Sequence, residues 1–460
     1  MALRIYNSLT RQKETFKPLK NGEVRIYVCG PTVYDEPHIG HLRSAVVFEV
    51  MRRYLKHSGY GVKFVRNVTD VDDKIIEKAR ASGAGDLAAE TRKVSQKYCQ
   101  SYTAELETLG VSPPDEEPRA TAHIGEMIRL IERLIEKGAA YPSGGDVYFD
   151  ISQYPDYGKL SGQKKDAMLE GTRVDASENK KNPLDFALWK KAKEGEPFWP
   201  SPWGNGRPGW HIECSAMSMK YLGESFDIHG GGRDLIFPHH ENEIAQSECA
   251  TGTPFVKTWI HHGLVTVNGQ KMSKSLKNVV TLGMATQGMV VRVEALKFFF
   301  LGTHYSAPLD YSDEKMQMER AVFQKFKLFY DDACQFPPGQ SAKDEKINQL
   351  KTAFMEAMDD DFNTPQALAV LHEIMHYARQ KNDPAIFHAA HHVLKECVKP
   401  LGLDFGDRSG DHSITGEIRR REEAKKKGDY KLADAIRASL LEKGVVIRDL
   451  PGGVTAWTQT

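Results

Sequence analysis

Residues 24–66 read VRIYVCGPTVYDEPHIGHLRSAVVFEVMRRYLKHSGYGVKFVR, and two changes of hydrophobic period inside this stretch decide the fold. Val24-Arg-Ile-Tyr-Val-Cys29 is a short apolar run stopped by Gly30-Pro31, the pattern of a buried strand. From Ala45 to Leu55 the apolar residues (Val46, Val47, Val50, Met51, Tyr54, Leu55) recur at helical spacing, and Val62-Lys-Phe-Val-Arg66 returns to a strand pattern. Strand, helix and strand in one stretch form a βαβ unit, which requires a parallel sheet with its ligands at the carboxyl ends of the strands. The loops after Val28 and Val65 are therefore where chemistry is expected.

Working outward, Ile124, Met127, Ile128, Ile131, Leu134 and Ile135 share one face of a helix expected over 121–137, with Thr121 as N-cap and Gly138 as stop. Residues 141–210 are rich in Gly, Pro, Asp and Lys and read as an irregular insertion between two halves of a core, with parallel-sheet patterning resuming near Phe226-Asp-Ile-His229. Beyond 315 long amphipathic helices take over, such as Ala321–Tyr330 and Ala367–Tyr377. The chain closes on a basic segment, 416–443, and a short hairpin formed by Val445-Val-Ile-Arg448 and Gly453–Trp457.

With 460 residues the chain exceeds one core, and three to four domains are expected at ~100–200 residues each. Apolar residues make up 40%, and no run approaches the ~20 apolar residues of a membrane span, so no membrane partner is expected. The start, Met1-Ala-Leu-Arg-Ile-Tyr-Asn7, has neither a secretory nor a transit pattern, which points to the cytoplasm. Six unpaired, widely spaced cysteines (Cys29, Cys99, Cys214, Cys249, Cys334, Cys397) argue against a disulfide framework. Basic and acidic residues balance at 62 each, so any RNA must be held by local patches.

Two motifs suit phosphate. His38-Ile-Gly-His41 lies where the first helix begins, so two imidazoles and a glycine meet the positive end of a helix dipole. Lys271-Met-Ser-Lys274-Ser275 follows the hairpin turn signal Asn268-Gly269, which puts two lysines on a loop able to meet departing pyrophosphate. Asp70 to Asp73 beside Lys74 read as a hydrogen-bonded acidic turn in preference to a magnesium site. Thiolates at Cys29 and Cys214 with an imidazole and a carboxylate would form a tetrahedral zinc set, and His239 with Glu243 stands at i, i+4; spacing alone does not choose His239 over His240, His229 or His211.

The two phosphate motifs match the HIGH and KMSKS signatures, and the chain thereby resembles the class I aminoacyl-tRNA synthetases. Tyr27–Tyr34, Arg66–Lys74, Gly209–Ala216, Phe226–Gly232, Phe237–Glu243 and Asp359–Pro365 are similar to blocks of the cysteinyl-tRNA synthetase family, with Arg233 where that family carries serine. The resemblance implies an α/β fold: a Rossmann-type parallel-sheet catalytic domain with an insertion, followed by an α-helical bundle and a small mixed α/β C-terminal unit. It implies catalytic halves at 1–121 and 206–255, a connective insertion at 122–205, a stem-contact region carrying the KMSKS loop at 256–315, a helical anticodon-binding bundle at 316–403 and a C-terminal anticodon domain at 404–460. It further implies ATP, with Mg2+, on His38, Gly40, His41, Lys271 and Lys274, the two histidines and two lysines being catalytic. One zinc ion falls to Cys29, Cys214, His239 and Glu243, and a cysteine pocket to Gly30, Thr69, Trp210, His229 and Asp234. The implied partners are tRNA(Cys), ATP and L-cysteine, and the implied state is a monomer. Phosphate contacts are expected from Arg419–Arg421 and Lys425–Lys427, and base stacking from Trp457. A ligase passing cysteine to a small amino-sugar acceptor, or an inactive RNA-binding relative, are the alternatives; the helical region beyond 315 opposes the first and the intact motifs the second.

Overall fold

A computed structural model describes residues 2–163, 179–273, 276–288, 290–336, 344–405, 412–451 and 454–459. The chain divides into two compact units, one comprising Ala2–Met289 with Tyr305–Ser312, the other Val290–His304 with Asp313–Thr460.

At the centre of the first unit lies a four-stranded parallel sheet in the order Val256–His262, Phe226–Gly232, Glu23–Val28, Gly61–Arg66. The helix between the inner strand and the edge strand runs Ile39–His57 and buries Leu42, Val46, Val47, Val50, Met51, Tyr54 and Leu55, the residues whose spacing announced it. Register places Tyr27, His229 and Trp259 side by side across three strands, one step before the chain leaves the sheet at Cys29. Both halves of the core thus deliver residues to one edge.

The insertion is more regular than its composition implies. Ala140–Ser143, Asp146–Phe149, Phe186–Lys191 and Gly206–Pro208 form an antiparallel sheet of four strands. Its strands are only three to six residues long, too short for an alternating pattern to stand out among the turn residues. The helix expected over 121–137 runs Ile124–Glu136 and is followed by Gly138 at φ +73. Thr121 does not cap it. Its N–H and hydroxyl donate instead to Asp70, at 2.9 and 2.6 Å.

The second unit is helical through Val290–Leu301, Asp313–Ala333, Glu345–Asp359, Thr364–Lys381 and Pro384–Val398. Helices His412–Lys426 and Tyr430–Glu442 then lead to a hairpin of Val445–Asp449 with Thr455–Gln459. Two expected phosphate contacts are used inside this unit. Arg421 is buried, donating to both carboxylate oxygens of Asp449 at 2.7 and 3.0 Å, and Lys425 reaches the same carboxylate at 3.0 Å. A half-buried Trp457 packs on the cluster of Ile414, Ile418, Ile436, Leu440, Val445 and Ile447. Spacing along a helix does not reveal which cations a neighbouring strand will claim. No helix among the described residues is long and apolar enough to cross a membrane.

Asp185, 1% exposed, is the polar knot of the insertion sheet: it accepts from the Tyr141 hydroxyl at 2.6 Å and from the Asn182 and Ile151 N–H groups at 3.0 and 3.1 Å. Asp185→Ala strands these donors and should cost about 2–4 kcal/mol, read as a fall in the urea midpoint of the catalytic unit. An unchanged midpoint would show that water replaces the carboxylate.

Candidate active site

Four segments meet at the carboxyl ends of the parallel strands. Cys29 leaves the inner strand with its N–H bonded to the Gly230 carbonyl at 3.1 Å. Cys214 comes from helix Trp210–Leu222, while His239 and Glu243 come from the turn and first residues of helix Glu241–Thr251. The Cys29 and Cys214 sulfurs stand 3.7 Å apart, Cys29 Sγ lies 3.6 Å from Glu243 Oε1, and His239 Nε2 lies 3.0 Å from that oxygen. All four donor atoms fall within 4.8 Å of one another. Two sulfurs bound to tetrahedral zinc at ~2.3 Å are separated by ~3.8 Å, so the set fits zinc in spacing as well as donor type.

A second donor set, Cys29, His229, His240 and Glu243, meets the same 4.8 Å limit, so the ambiguity among histidines persists in space. His239 and His240 both turn Nε2 to the cluster, His240 Nε2 lying 3.4 Å from Cys29 Sγ. His229 Nε2 engages Glu243 Oε2 at 2.9 Å, leaving Oε1 toward His239 and the cysteines. His240 Nδ1 lies 2.8 Å from His261 Nε2, and His261 Nδ1 lies 2.8 Å from Ser8 Oγ. His239 Nδ1 is 3.0 Å from His211 Nδ1, a contact of the kind that orients a ligating imidazole. Only the first set employs Cys214.

Electrostatics agree with a site built for a cation. The hydrogen bond with Cys29 draws the Cys214 thiol down to about 6 despite burial, while burial pushes Cys29 well up. Burial opposes ionisation of Glu243, yet His229 and His239 hold it at about 2; burial likewise opposes protonation of His239, yet Glu243 and Cys214 carry it to about 10. Burial drives His211, His240 and His261 well below the usual imidazole range.

Around this cluster the Trp210 ring lies 4.2 Å from the His239 ring, centroid to centroid. At 37% exposure it walls the cluster on one face and meets solvent on the other. Thr69 is buried and its hydroxyl donates to Glu213 at 2.9 Å. The Gly30 N–H donates to Asn67 Oδ1 at 2.8 Å, and a Cβ at Gly30 would lie 1.6 Å from the Asn67 carbonyl oxygen, so only glycine passes there. His229 is wholly buried and stacks on Trp259 at 4.5 Å, reaching the cluster from behind; Asp234 is exposed just beyond the strand that carries His229. Asn67 was missed by sequence reasoning. Its Oδ1 also lies 3.8 Å from Cys214 Sγ, and its amide nitrogen is 3.4 Å from the Thr69 hydroxyl, so it joins three site residues. Its place at the end of a parallel strand was the available signal.

The first nucleotide motif follows Cys29 in the loop that leaves the same strand. His38 precedes helix Ile39–His57, its N–H donates to His41 Nδ1 at 3.3 Å, and the two rings stack at 3.7 Å. A Cβ at Gly40 would approach the His38 ring at 3.0 Å and Met272 Cε at 3.3 Å, so the second motif lies against the first. Lys271 is exposed at the end of a hairpin whose Asn268-Gly269 turn has the positive φ angles, +51 and +74, that its sequence predicts. Lys274 and Ser275 lie outside the described residues. The acidic turn is hydrogen-bonded: Asp72 caps helix Asp73–Arg80 through the Lys74 N–H, and Asp73 pairs with Lys190 and Arg207.

A family profile described as the catalytic domain of class I (C) tRNA synthetases matches residues 15–321. A DALR domain profile matches 353–406, and a cysteinyl-tRNA ligase anticodon binding domain profile matches 418–455. The chain is 48% identical to the cysteine–tRNA ligase of Alkalilimnicola ehrlichii, covering 98% of this chain and 99% of that one. It is 45% identical to that of Syntrophotalea carbinolica, covering 99% of each. Its fold is similar to Mycobacterium tuberculosis methionyl-tRNA synthetase in complex with methionyl-adenylate, with a TM-score of 0.62 at 16% identity over 82% of this chain and 90% of that one.

The two donor sets predict different metal contents. Cys214→Ser and His239→Asn should each strip zinc from a protein that otherwise carries about one ion per chain, whereas His240→Asn should retain it, measured by elemental analysis after dialysis. Retention in the first two with loss in the third would assign the ion to the other set.

Proposed function

This chain belongs to the cysteine–tRNA ligase family of class I aminoacyl-tRNA synthetases, and on that premise we propose that it selects L-cysteine at the Cys29–Cys214–His239–Glu243 centre, activates it with ATP and transfers it to tRNA(Cys). The observation that carries this reading is the compact soft-donor cluster at the carboxyl ends of the parallel strands, with the His38–His41 motif opening the helix that follows the strand leading to Cys29. Zinc held by those four side chains supplies a borderline-soft Lewis acid that favours a thiolate sulfur over a hydroxyl oxygen, the sole difference between cysteine and serine.

The protein's own groups orient and neutralise. Trp210 closes the space over His239 and limits the side chain to a small one. His229 turns the Glu243 carboxylate toward the cluster through Oε2, and Asn67 keeps Gly30 and Cys214 in register. Thr69 and Asp234 flank this space. The cysteine carboxylate attacks the α-phosphorus of ATP in line, forming cysteinyl-adenylate and releasing pyrophosphate. His38 and His41 donate to the phosphate oxygens at the positive end of their helix, with the adenine against Gly40. Lys271, and Lys274 as assigned from the sequence, neutralise the departing pyrophosphate, which Mg2+ accompanies. The 2′-hydroxyl of the terminal ribose then attacks the adenylate carbonyl and AMP departs. The helical and C-terminal parts supply the anticodon contacts that the profile matches indicate. They distinguish this chain from a ligase that serves a small amino-sugar acceptor.

The purified protein should charge total tRNA with labelled cysteine and not with labelled serine, and zinc chelation should abolish charging and cysteine-dependent pyrophosphate exchange together. Exchange without charging would point to a small acceptor. Undiminished preference for cysteine over serine in folded, metal-free protein would remove the metal from specificity.

A further inference from the structure

Arg43 stands two residues beyond the His38–His41 motif, and its side chain is completely buried. Its guanidinium turns to backbone carbonyls. Nη1 donates to Gly263 at 2.8 Å and reaches Leu264 at 3.4 Å, while Nη2 donates to Ala307 at 2.8 Å and Tyr305 at 3.3 Å. Those four carbonyls belong to two segments that lead into one small sheet. Residues 263–264 lead into Val265–Val267, which pairs with Gln270–Lys271 and carries the lysine loop, and 305–307 lead into Leu309–Tyr311, which pairs with Val265–Val267 on its other side.

The backbones at this crossing are as close as they can be. Gly263 N–H donates to the Tyr305 carbonyl at 2.8 Å, and a Cβ at Gly263 would lie 2.1 Å from the Ala307 oxygen. The far end of the lysine segment is fixed to the same helix, because the Ile39 N–H donates to the Val280 carbonyl at 2.9 Å. Each end of the segment that holds Lys271 is thereby referred to one rigid body, the helix that begins with the histidine motif.

We propose that Arg43 is a positioning residue for adenylate formation: by clamping the root of the lysine hairpin to the histidine helix, it sets the distance between the two halves of the ATP site. A guanidinium suits this task because its planar fork can bind several carbonyls at once, whereas an ammonium is a single point. A buried charge held by four carbonyls is costly to move, so the clamp holds while the exposed Lys271 side chain can follow pyrophosphate. The inference rests on the reading that the His38–His41 and Lys271 motifs bind ATP.

The test is cysteine-dependent pyrophosphate exchange by Arg43→Lys and Arg43→Gln, with zinc content and the Michaelis constant for cysteine measured alongside. Wild-type exchange comes first, since its absence would fail the functional reading and leave the clamp out of account. The expected result is a fall in kcat of at least about tenfold with a several-fold rise in the KM for ATP, while zinc content and the KM for cysteine move by less than about twofold; Arg43→Lys should recover part of the loss seen in Arg43→Gln. Unchanged kcat and ATP KM in a folded variant would overturn the proposal, as would equal damage to cysteine and ATP parameters. If neither variant folds, hydrogen exchange in the wild-type chain decides. The Gly263, Asn268 and Leu309 amides, bonded to the Tyr305, Tyr311 and Leu264 carbonyls, must then exchange as slowly as the core amides of helix Ile39–His57. Faster local opening at the root would show that the clamp does not hold.

Discussion

The Glu243 carboxylate, with no exposed surface, is the group around which the catalytic unit has to be built. Taking such a charge from water costs several kcal/mol, and removing a partner from a buried pair leaves that cost uncompensated. Here His229 takes one oxygen, while His239 and Cys29 approach the other. These contacts demand that strand Phe226–Gly232 pair with Glu23–Val28 in the register that sets His229 beside Tyr27, and that helix Glu241–Thr251 begin where Glu243 points back at the sheet. A slip of one residue would turn His229 to the other face and leave the carboxylate stranded.

The same constraint explains how a site can draw on residues far apart in the chain. Cys29 and Cys214 are 185 residues apart, and the intervening polypeptide includes the whole insertion. A parallel sheet solves this by making the strand of the second half an immediate neighbour of the strand of the first. The insertion sheet has its own polar knot at Asp185 and shares one hydrophobic core with the parallel sheet, Val147, Phe149 and Trp189 clustering with Tyr27, Val65 and Trp259. The insertion meets the core at the acidic turn, where Lys190 and Arg207 grip Asp73, at His211, on which the Phe186 ring packs, and at the start of helix Glu241–Thr251, where the Gly158 N–H donates to Glu241. That grip fixes the turn carrying Thr69 without adding any group to the cluster.

What the amino-acid sequence made legible follows from this architecture. The strand–helix–strand reading of 24–66 is realised because it depends on apolar period alone, and the hairpin at Asn268-Gly269 because left-handed backbone has few suitable residues. Residues that bind metal or phosphate announce themselves by type. The insertion sheet stayed hidden because its strands are too short to show a period. Thr121 and Arg421 were read by local rules, but each is claimed by a carboxylate distant in sequence, Asp70 and Asp449. Arg43 had a further reason to escape notice: what it holds is backbone, which has no sequence signature, whereas Asn67 was signalled only by its place at a strand end. The choice among four histidines could not be made by spacing, since two of the resulting sets remain compact in space, and what distinguishes them is that one includes Cys214.

Two buried charges are thus stabilised in opposite ways, and the difference matches what each end of the site must do. Glu243 is met by side chains whose identity is chemical, so the end of the site proposed to take cysteine is fixed in composition as well as in place. Arg43 is met by carbonyls, which hold position and contribute nothing to recognition. An enzyme that distinguishes sulfur from oxygen needs donor atoms that cannot drift, because a small displacement would let either side chain fit. An enzyme that also expels pyrophosphate needs a cation that can follow a moving charge, and this requires an exposed lysine on a hairpin whose root does not move. Lys271 is exposed at the end of a hairpin whose root, at Gly263 and Leu264, accepts from the buried Arg43 side chain. A fixed root spares an exposed lysine part of the ordering cost of meeting a departing phosphate, because less of the binding energy is spent on bringing the hairpin to one place.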